Sequence, residues 1–157
     1  MRVPVAQLVW KVSALLLYFS LQEAAADCSD LNRIRAAASE HFRTIAGERQ
    51  GRAGDVKSTL PIEGARCTIS TQEDGKSPSH TCRWVLTQDQ VQAKSVFEEM
   101  VAEVASCVRS REPPSRNDGR RKANVLFDDG AKRAIGVRYY FESGWYLMEL
   151  EYNVFDE

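Results

Sequence analysis

The sequence lacks most of the patterns that mark a catalytic or metal-binding protein. It contains only two histidines, His41 and His80, and neither belongs to an H-x-x-x-H or H-E-x-x-H pair. No G-x-S-x-G motif and no glycine-rich phosphate loop occurs, and the four cysteines include no C-x-x-C pair. We therefore expect a protein that is not an enzyme and that needs no metal ion or cofactor.

The chain also lacks a strong net charge. Its 21 basic and 22 acidic residues give a formal net charge of −1 at pH 7. A nucleic-acid-binding domain usually carries a clear excess of basic residues, because phosphate contacts dominate its affinity. The charge balance therefore gives no reason to expect nucleic acid as a partner.

The N-terminus has the order of a secretory signal peptide. Basic residues at Arg2 and Lys11 precede an apolar run from 12 to 21, and alanines at 24 and 26 match a small-residue cleavage site. The run of roughly 10 residues is about half of what a membrane-spanning helix needs. We predict that residues 1–26 are cleaved and that 27–157 form one periplasmic or secreted domain without a stable membrane anchor.

All four cysteines lie in the predicted mature chain, and an even number in an exported protein favours disulfides. Their spacings match no zinc finger or ribbon. A tight turn at 74–75 would place Cys67 opposite Cys82, and antiparallel helices would bring Cys28 near Cys107. Among the three connectivities that four cysteines allow, we predict these two pairs.

Two segments show the periodicity of amphipathic helices, and four show that of strands. Apolar residues recur every three or four positions over 31–45 and from Thr87 to 108. The strands form two hairpins, 65–70 with 79–86 and 134–142 with 145–154, each reversing at a glycine-containing dipeptide. Residues 48–57 have no periodicity and predict a loop.

This order predicts an α+β fold with the sequence α-β-β-α-β-β. The economical arrangement is an antiparallel sheet of four strands, or five if residues 123–127 add one, with two helices packed on one face. Its opposite face must be solvated or must bind something.

The register of the second hairpin predicts what that opposite face presents. It pairs Arg138 with Glu149 and Tyr140 with Leu147, and Trp145 lies beside them. Tyr, Trp and Arg are enriched at binding hot spots, and exposed apolar patches mark contact surfaces. We predict that Arg138, Tyr140, Trp145 and Leu147 form a protein-binding face. Alternatively, the terminal strands curl over these rings, or a one-residue slip reverses the faces.

Basic residues cluster in the segment 109–122, which we expect to be an irregular loop. It could bind a phosphate, a sulfated sugar or an acidic partner. The other interpretation is a solvated loop of mixed charge, because no aromatic residues are interleaved for base stacking. The residues predicted to contact an anion or partner are Arg116, Arg120, Arg121 and Lys122.

These features predict a non-catalytic binding protein that contacts another envelope or extracellular protein, as an inhibitor, adaptor or accessory subunit. One alternative is a binder of small ligands or polyanions that uses the segment 109–122. A second alternative is a small hydrolase without a recognisable motif.

Overall fold

The computed structural model describes residues 28–50, 55–70, 77–110 and 112–155. The predicted signal peptide and the predicted turn at 74–75 lie outside these residues. The described helices are α1, Ser29–Ala38, and α2, Gln90–Cys107. The described strands are β1 Ala46–Gln50, β2 Asp55–Ser58, β3 Arg66–Ser70, β4 Ser79–Val85, β5 Ser115–Gly119, β6 Lys122–Asp128, β7 Arg133–Glu142 and β8 Trp145–Val154.

These strands join one antiparallel sheet in the order β1-β2-β3-β4-β8-β7-β6-β5. Each helix is followed by a four-stranded meander, and the last strands of the two meanders pair at the centre of the sheet. The predicted order α-β-β-α-β-β is therefore corrected to a twice-used unit of one helix and four strands. The α+β class is confirmed.

The prediction of four or five strands was wrong because β1, β2 and β5 were not recognised, and residues 48–57, predicted to be a loop, contain parts of β1 and β2. Every residue of β1 and β5 is exposed, so neither strand shows the alternation of a half-buried strand. Gly47 of β1 permits close pairing with β2, because a Cβ there would lie 2.9 Å from the carbonyl oxygen of Lys57. Backbone pairing of β1 with β2 and of β5 with β6, rather than burial of side chains, therefore determines that these two segments are strands.

Helix α1 is shorter than predicted and ends at Ala38 instead of residue 45. The chain turns at His41 and Phe42, which both have positive φ, of 53° and 59°. This turn buries Phe42 completely, with its ring centroid 5.7 Å from that of His80 and 6.3 Å from that of Tyr152. The apolar periodicity therefore continued past the helix because the following turn also faces the core.

Helix α2 begins at Gln90, three residues after the predicted start at Thr87. Asp89 is its N-cap, and its Oδ1 accepts a hydrogen bond of 2.8 Å from the backbone N–H of Gln92. Its inner side buries Phe97, whose ring centroid lies 4.9 Å from that of Tyr139 on β7. Both helices thus pack on the same face of the sheet, as predicted.

Both predicted disulfides are present. Cys67 and Cys82 face each other on β3 and β4 with a Cα–Cα distance of 4.1 Å, and Cys28 and Cys107 join the start of α1 to the end of α2. Disulfides persist in oxidising compartments, so they indicate a protein that works outside the cytoplasm. Among the described residues, no helix is long and apolar enough to span a membrane.

Candidate binding face

The side of the sheet opposite the helices, here called the open face, carries all four residues predicted for protein binding. Neighbouring strands pair Arg138 with Glu149, Tyr140 with Leu147 and Trp145 with Glu142, as the hairpin register predicted. The open face comprises Arg66, Arg83, Val85, Lys122, Arg138, Tyr140, Glu142, Trp145, Leu147, Glu149 and Glu151, with the other alternate positions of the same strands.

Glu149 lies at the centre of the open face and is fully buried there. Its Oε1 accepts hydrogen bonds from Arg83 Nε at 2.6 Å and from the Tyr140 hydroxyl at 2.7 Å. Its Oε2 accepts a hydrogen bond from Arg138 Nε. Three side chains from the two flanking strands therefore converge on one carboxylate.

This convergence fixes the protonation of the cluster. Burial alone would raise the pKa of Glu149, but hydrogen bonds from Tyr140 and Arg138 and the charge of Arg138 outweigh it and lower the pKa. Burial and the hydrogen bond to Glu149 raise the pKa of Tyr140 to about 12. At neutral pH, Glu149 is therefore an ionised acceptor and Tyr140 is a neutral donor.

The two arginines held by Glu149 remain partly open to solvent. The side chain of Arg83 is 52% exposed and that of Arg138 is 47% exposed, and they lie on opposite sides of β8. Arg66 continues the same row, because it pairs with Arg83 on β3. One buried negative charge thus orients two guanidinium groups. The row formed by Arg66, Arg83, Glu149 and Arg138 keeps a net positive charge, and its guanidinium groups can bind carboxylates.

A second, apolar row runs beside the first. Val85, Leu147 and Tyr140 are paired neighbours on β4, β8 and β7. Val85 is 65% exposed and the nearby Trp145 is 44% exposed, whereas Leu147 is buried beneath its neighbours. The open face therefore presents exposed apolar side chains beside two oriented arginines.

The two rows end at a depression of about 410 Å³ near the β5 edge of the sheet. Its side chains supply amide, ammonium and guanidinium donors next to a tyrosine ring. The lining residues are Asn117, Lys122, Ala123, Asn124, Arg138, Tyr139 and Tyr140.

The predicted basic loop 109–122 is not one irregular loop, because it contains β5 and the first residue of β6. Arg116 lies on β5, and its guanidinium binds Glu98 at 2.6 Å and Asp118 at 2.9 Å. These two carboxylates raise the pKa of Arg116, and its charge is already paired. The guanidinium also lies 5.7 Å from the ring centroid of Phe97, on the helix side of the sheet.

The other basic residues of this segment do not converge either. Arg121 lies over the ring of Phe141, 5.1 Å from its centroid, whereas Lys122 lies on the open face opposite Tyr140. The carbonyl oxygen of Arg120 accepts a hydrogen bond from Gln90 Nε2. Arg116 and Arg121 therefore lie over rings on the helix side of the sheet, whereas Lys122 lies on the open face, so these three residues do not share one surface.

His80, on β4, is fully buried. Its Nε2 lies 3.0 Å from Ser58 Oγ, and its Nδ1 lies 3.8 Å from the sulfur of Cys82. Burial lowers the pKa of His80 to about 4, so the imidazole is a weak base. In a catalytic serine–histidine–aspartate triad, a carboxylate accepts a hydrogen bond from the histidine Nδ1. Here a disulfide sulfur lies next to Nδ1 instead. This arrangement does not favour nucleophilic catalysis by Ser58.

Cys67, His80 and Cys82 place one ligand-type atom each within 4.8 Å of one another. Both sulfurs are oxidised to a disulfide, and the thiolate is the form that binds metal ions. In this state the three side chains form a packed cluster.

Sequence reasoning missed two contributors to the open face, Arg83 and Val85. Both lie on β4, and their placement depends on the pairing of β4 with β8, between segments that are more than 60 residues apart. The hairpin register found the pair of Arg138 and Glu149, but no local pattern showed that Glu149 also binds Arg83.

Comparisons with protein-family models, curated proteins and solved structures give no further guide. No family model, curated protein or solved structure matches the chain. The functional interpretation therefore depends on the geometry of the open face.

Proposed function

We propose that this protein is a non-catalytic binding protein, exported to the periplasm or the extracellular space, that contacts another exported protein through the open face. The single observation that carries the proposal is that exposed Val85 and Trp145 lie on the same face of the sheet as two arginines that Glu149 holds in place. An inhibitor, an adaptor and an accessory subunit would all use such a surface.

The composition of the open face supports protein binding. Binding of a partner can remove the apolar surface of Trp145 and Val85 from contact with water. This burial stabilises a complex by about 25 cal/mol per Å². The hydrogen bonds to Glu149 restrict Arg83 and Arg138 before a partner arrives, so less side-chain entropy is lost on binding. Burial of apolar side chains and preorientation of the arginines therefore both favour binding at the open face.

Affinity capture tests this proposal. The full chain, purified in its oxidised form from cells that export it, would be immobilised and exposed to envelope extract and culture fluid. The baits would be the wild type, the double variant Val85→Ser/Trp145→Ser and the control Val91→Ser, which removes an 80% exposed valine from α2.

A protein retained by the wild type and by Val91→Ser, but lost from the double variant, would support the proposal. Identical proteins on all three baits would contradict it. The alternative based on the basic segment predicts a different result, in which Arg120→Gln/Arg121→Gln abolishes capture with a steep dependence on salt.

A further inference from the structure

We propose that Cys67 and Cys82, when their disulfide is reduced, bind one zinc ion together with His80. The three side chains lie on the helix side of β3 and β4, away from the open face, so this inference is independent of the proposed function. It follows from the placement of the three side chains, from the contacts that orient His80 and from a cleft that reaches Cys67.

Strand register brings the three side chains together. Cys67 and Cys82 are paired across β3 and β4, and His80 precedes Cys82 by two residues on β4, so its side chain points to the same face. One ligand-type atom from each residue lies within 4.8 Å of the other two, and His80 Nδ1 lies 3.8 Å from Cys82 Sγ. A tetrahedral zinc ion holds a sulfur and a nitrogen ligand about 3.6 Å apart, so little movement of His80 is needed.

Ser58 and Phe42 hold the imidazole in the orientation that a metal ligand needs. Ser58 Oγ lies 3.0 Å from His80 Nε2, and the ring centroid of Phe42 lies 5.7 Å from that of His80. When Nε2–H donates to Ser58, Nδ1 carries a lone pair next to the sulfurs. Metal-binding histidines almost always donate their other ring N–H to an oxygen acceptor in this way.

The charge of the site favours zinc over copper(I), although both ions bind thiolates. Two thiolates carry two negative charges, which one Zn²⁺ ion cancels, whereas copper(I) leaves one of them uncompensated. His80 and Cys82 are fully buried, and an uncompensated charge is costly at a buried position. Three protein ligands leave the fourth zinc position for a water molecule.

A cleft gives the metal ion, water and a reductant a path to the site. Its volume is about 880 Å³, it is bordered by β1, β3 and the segment after β2, and Ser58 and Cys67 are among its lining residues. Cys67 is 8% exposed, whereas Cys82 is 0% exposed. Cys67 is therefore the sulfur that an attacking thiolate reaches.

Reduction and zinc binding are two balanced steps. A dithiol donor passes two electrons to the Cys67–Cys82 disulfide, so that the donor becomes a disulfide and both cysteines become thiols. Zinc then replaces the two thiol protons, which are released to solvent. Both cysteines are also thiols when the chain is synthesised, so zinc binding competes with the first formation of this disulfide.

Zinc titration of the reduced protein tests the site. The full chain, purified in its oxidised form from cells that export it, would be reduced anaerobically with a phosphine. The phosphine takes up the oxygen of one water molecule as the disulfide becomes two thiols, and it is then removed. Competition with a coloured chelator measures zinc affinity, and cobalt(II) reports thiolate ligation through its charge-transfer absorption. We expect one zinc ion per reduced chain and none on the oxidised chain.

Variants distinguish this site from other zinc ligands in the chain. His80→Gln should weaken zinc binding at least about a hundredfold because a ligand is lost, and Ser58→Ala about tenfold, with a changed cobalt(II) spectrum, because the imidazole loses its partner. Thr59→Ala is the matched control for Ser58→Ala, since the Thr59 hydroxyl donates to the carbonyl oxygen of Ile45 instead. Cys28→Ala/Cys107→Ala removes the other pair of thiols and should leave zinc affinity unchanged.

Urea unfolding of the reduced protein shows which state of the chain binds zinc. Binding at the folded site raises the urea midpoint, whereas preferential binding to the thiols of the unfolded chain lowers it. If the reduced protein is unfolded without urea, zinc should restore its near-ultraviolet circular dichroism, because metal binding then drives folding.

The inference is supported if one zinc ion binds, stabilises the folded reduced protein and depends on His80. Failure of the reduced protein to bind zinc, an affinity that His80→Gln leaves unchanged, or binding of copper(I) but not of zinc would overturn it. A urea midpoint lowered by zinc, or a reduced chain that stays unfolded with zinc, would also overturn it.

Discussion

Asp129 accepts two hydrogen bonds from Arg35, with Nε–Oδ2 and Nη2–Oδ1 distances of 2.8 and 2.6 Å. Arg35 Nη2 also donates to the carbonyl oxygen of Cys107, and the Tyr152 hydroxyl donates to Asp129 Oδ2 at 2.6 Å. This contact joins α1, the end of α2, β8 and the turn after β6. It fixes both helices against one face of the sheet and leaves the open face free of them.

We predict that Asp129→Asn lowers the free energy of unfolding by about 2 kcal/mol, because a mostly buried, bidentate carboxylate partner of Arg35 is lost. Asp30→Asn is the control, since Asp30 pairs with Arg33 at an exposed i,i+3 position and should cost less than about 0.5 kcal/mol. Urea unfolding of the oxidised proteins measures both values. Equal effects of the two substitutions would contradict the role given to Asp129.

The centre of the sheet could be predicted from the sequence, whereas its edges could not. The register around Cys67 and around Tyr139 followed from alternating apolar residues and from turn dipeptides, and Ser143 and Gly144 do have the positive φ values of 51° and 87° that such a turn requires. In β1 and β5 every side chain is exposed, so no burial pattern distinguishes these strands from loops.

The candidate site was also only partly predictable, for a related reason. Arg138 and Glu149 belong to one hairpin, so local register was enough to pair them. Arg83 belongs to the other half of the chain and reaches Glu149 because β4 and β8 meet at the centre of the sheet. Such a long-range pairing cannot be predicted from the local sequence around either residue.

We predict that His80 makes the fold sensitive to mild acid. Burial lowers its pKa to about 4 in the folded protein, whereas the unfolded value is near 6.5. Between these values the unfolded chain binds a proton that the folded protein excludes, so stability falls as the pH drops from about 6.5 to 4. The full effect is about 3 kcal/mol, and it vanishes above pH 6.5.

The variant His80→Gln keeps a polar group near Ser58 Oγ and removes the titrating ring. Urea unfolding at pH 7, 6, 5 and 4.5 should show a smaller loss of stability for the variant than for the wild type. The lowered pKa of Glu149 adds an acid-dependent loss below its unfolded value, but both proteins share that loss. Parallel stability curves for the two proteins would show that His80 does not titrate as described.

We predict that Glu149→Gln destabilises the protein and also weakens partner binding. The substitution leaves Arg83 and Arg138 without their counterion, and because both are about half exposed, the cost in unfolding free energy should be only about 1–2 kcal/mol. The control Glu151→Gln removes a carboxylate from the same strand and face that has no ion-pair partner among the described residues. Urea unfolding should show the loss for Glu149→Gln and stay near wild type for Glu151→Gln, and the capture yield should fall for Glu149→Gln.

The two disulfides should contribute unequally to stability. Cys28 and Cys107 are 79 residues apart, whereas Cys67 and Cys82 are 15 apart and are also held as neighbours by the β3–β4 pairing. Loop entropy assigns about 4.5 kcal/mol to the longer closure and about 3 kcal/mol to the shorter one. We therefore expect Cys28→Ala/Cys107→Ala to lower the urea midpoint more than Cys67→Ala/Cys82→Ala. The reverse order would mean that packing of the buried Cys67–Cys82 sulfurs, in contact with His80, outweighs the constraint on the unfolded chain.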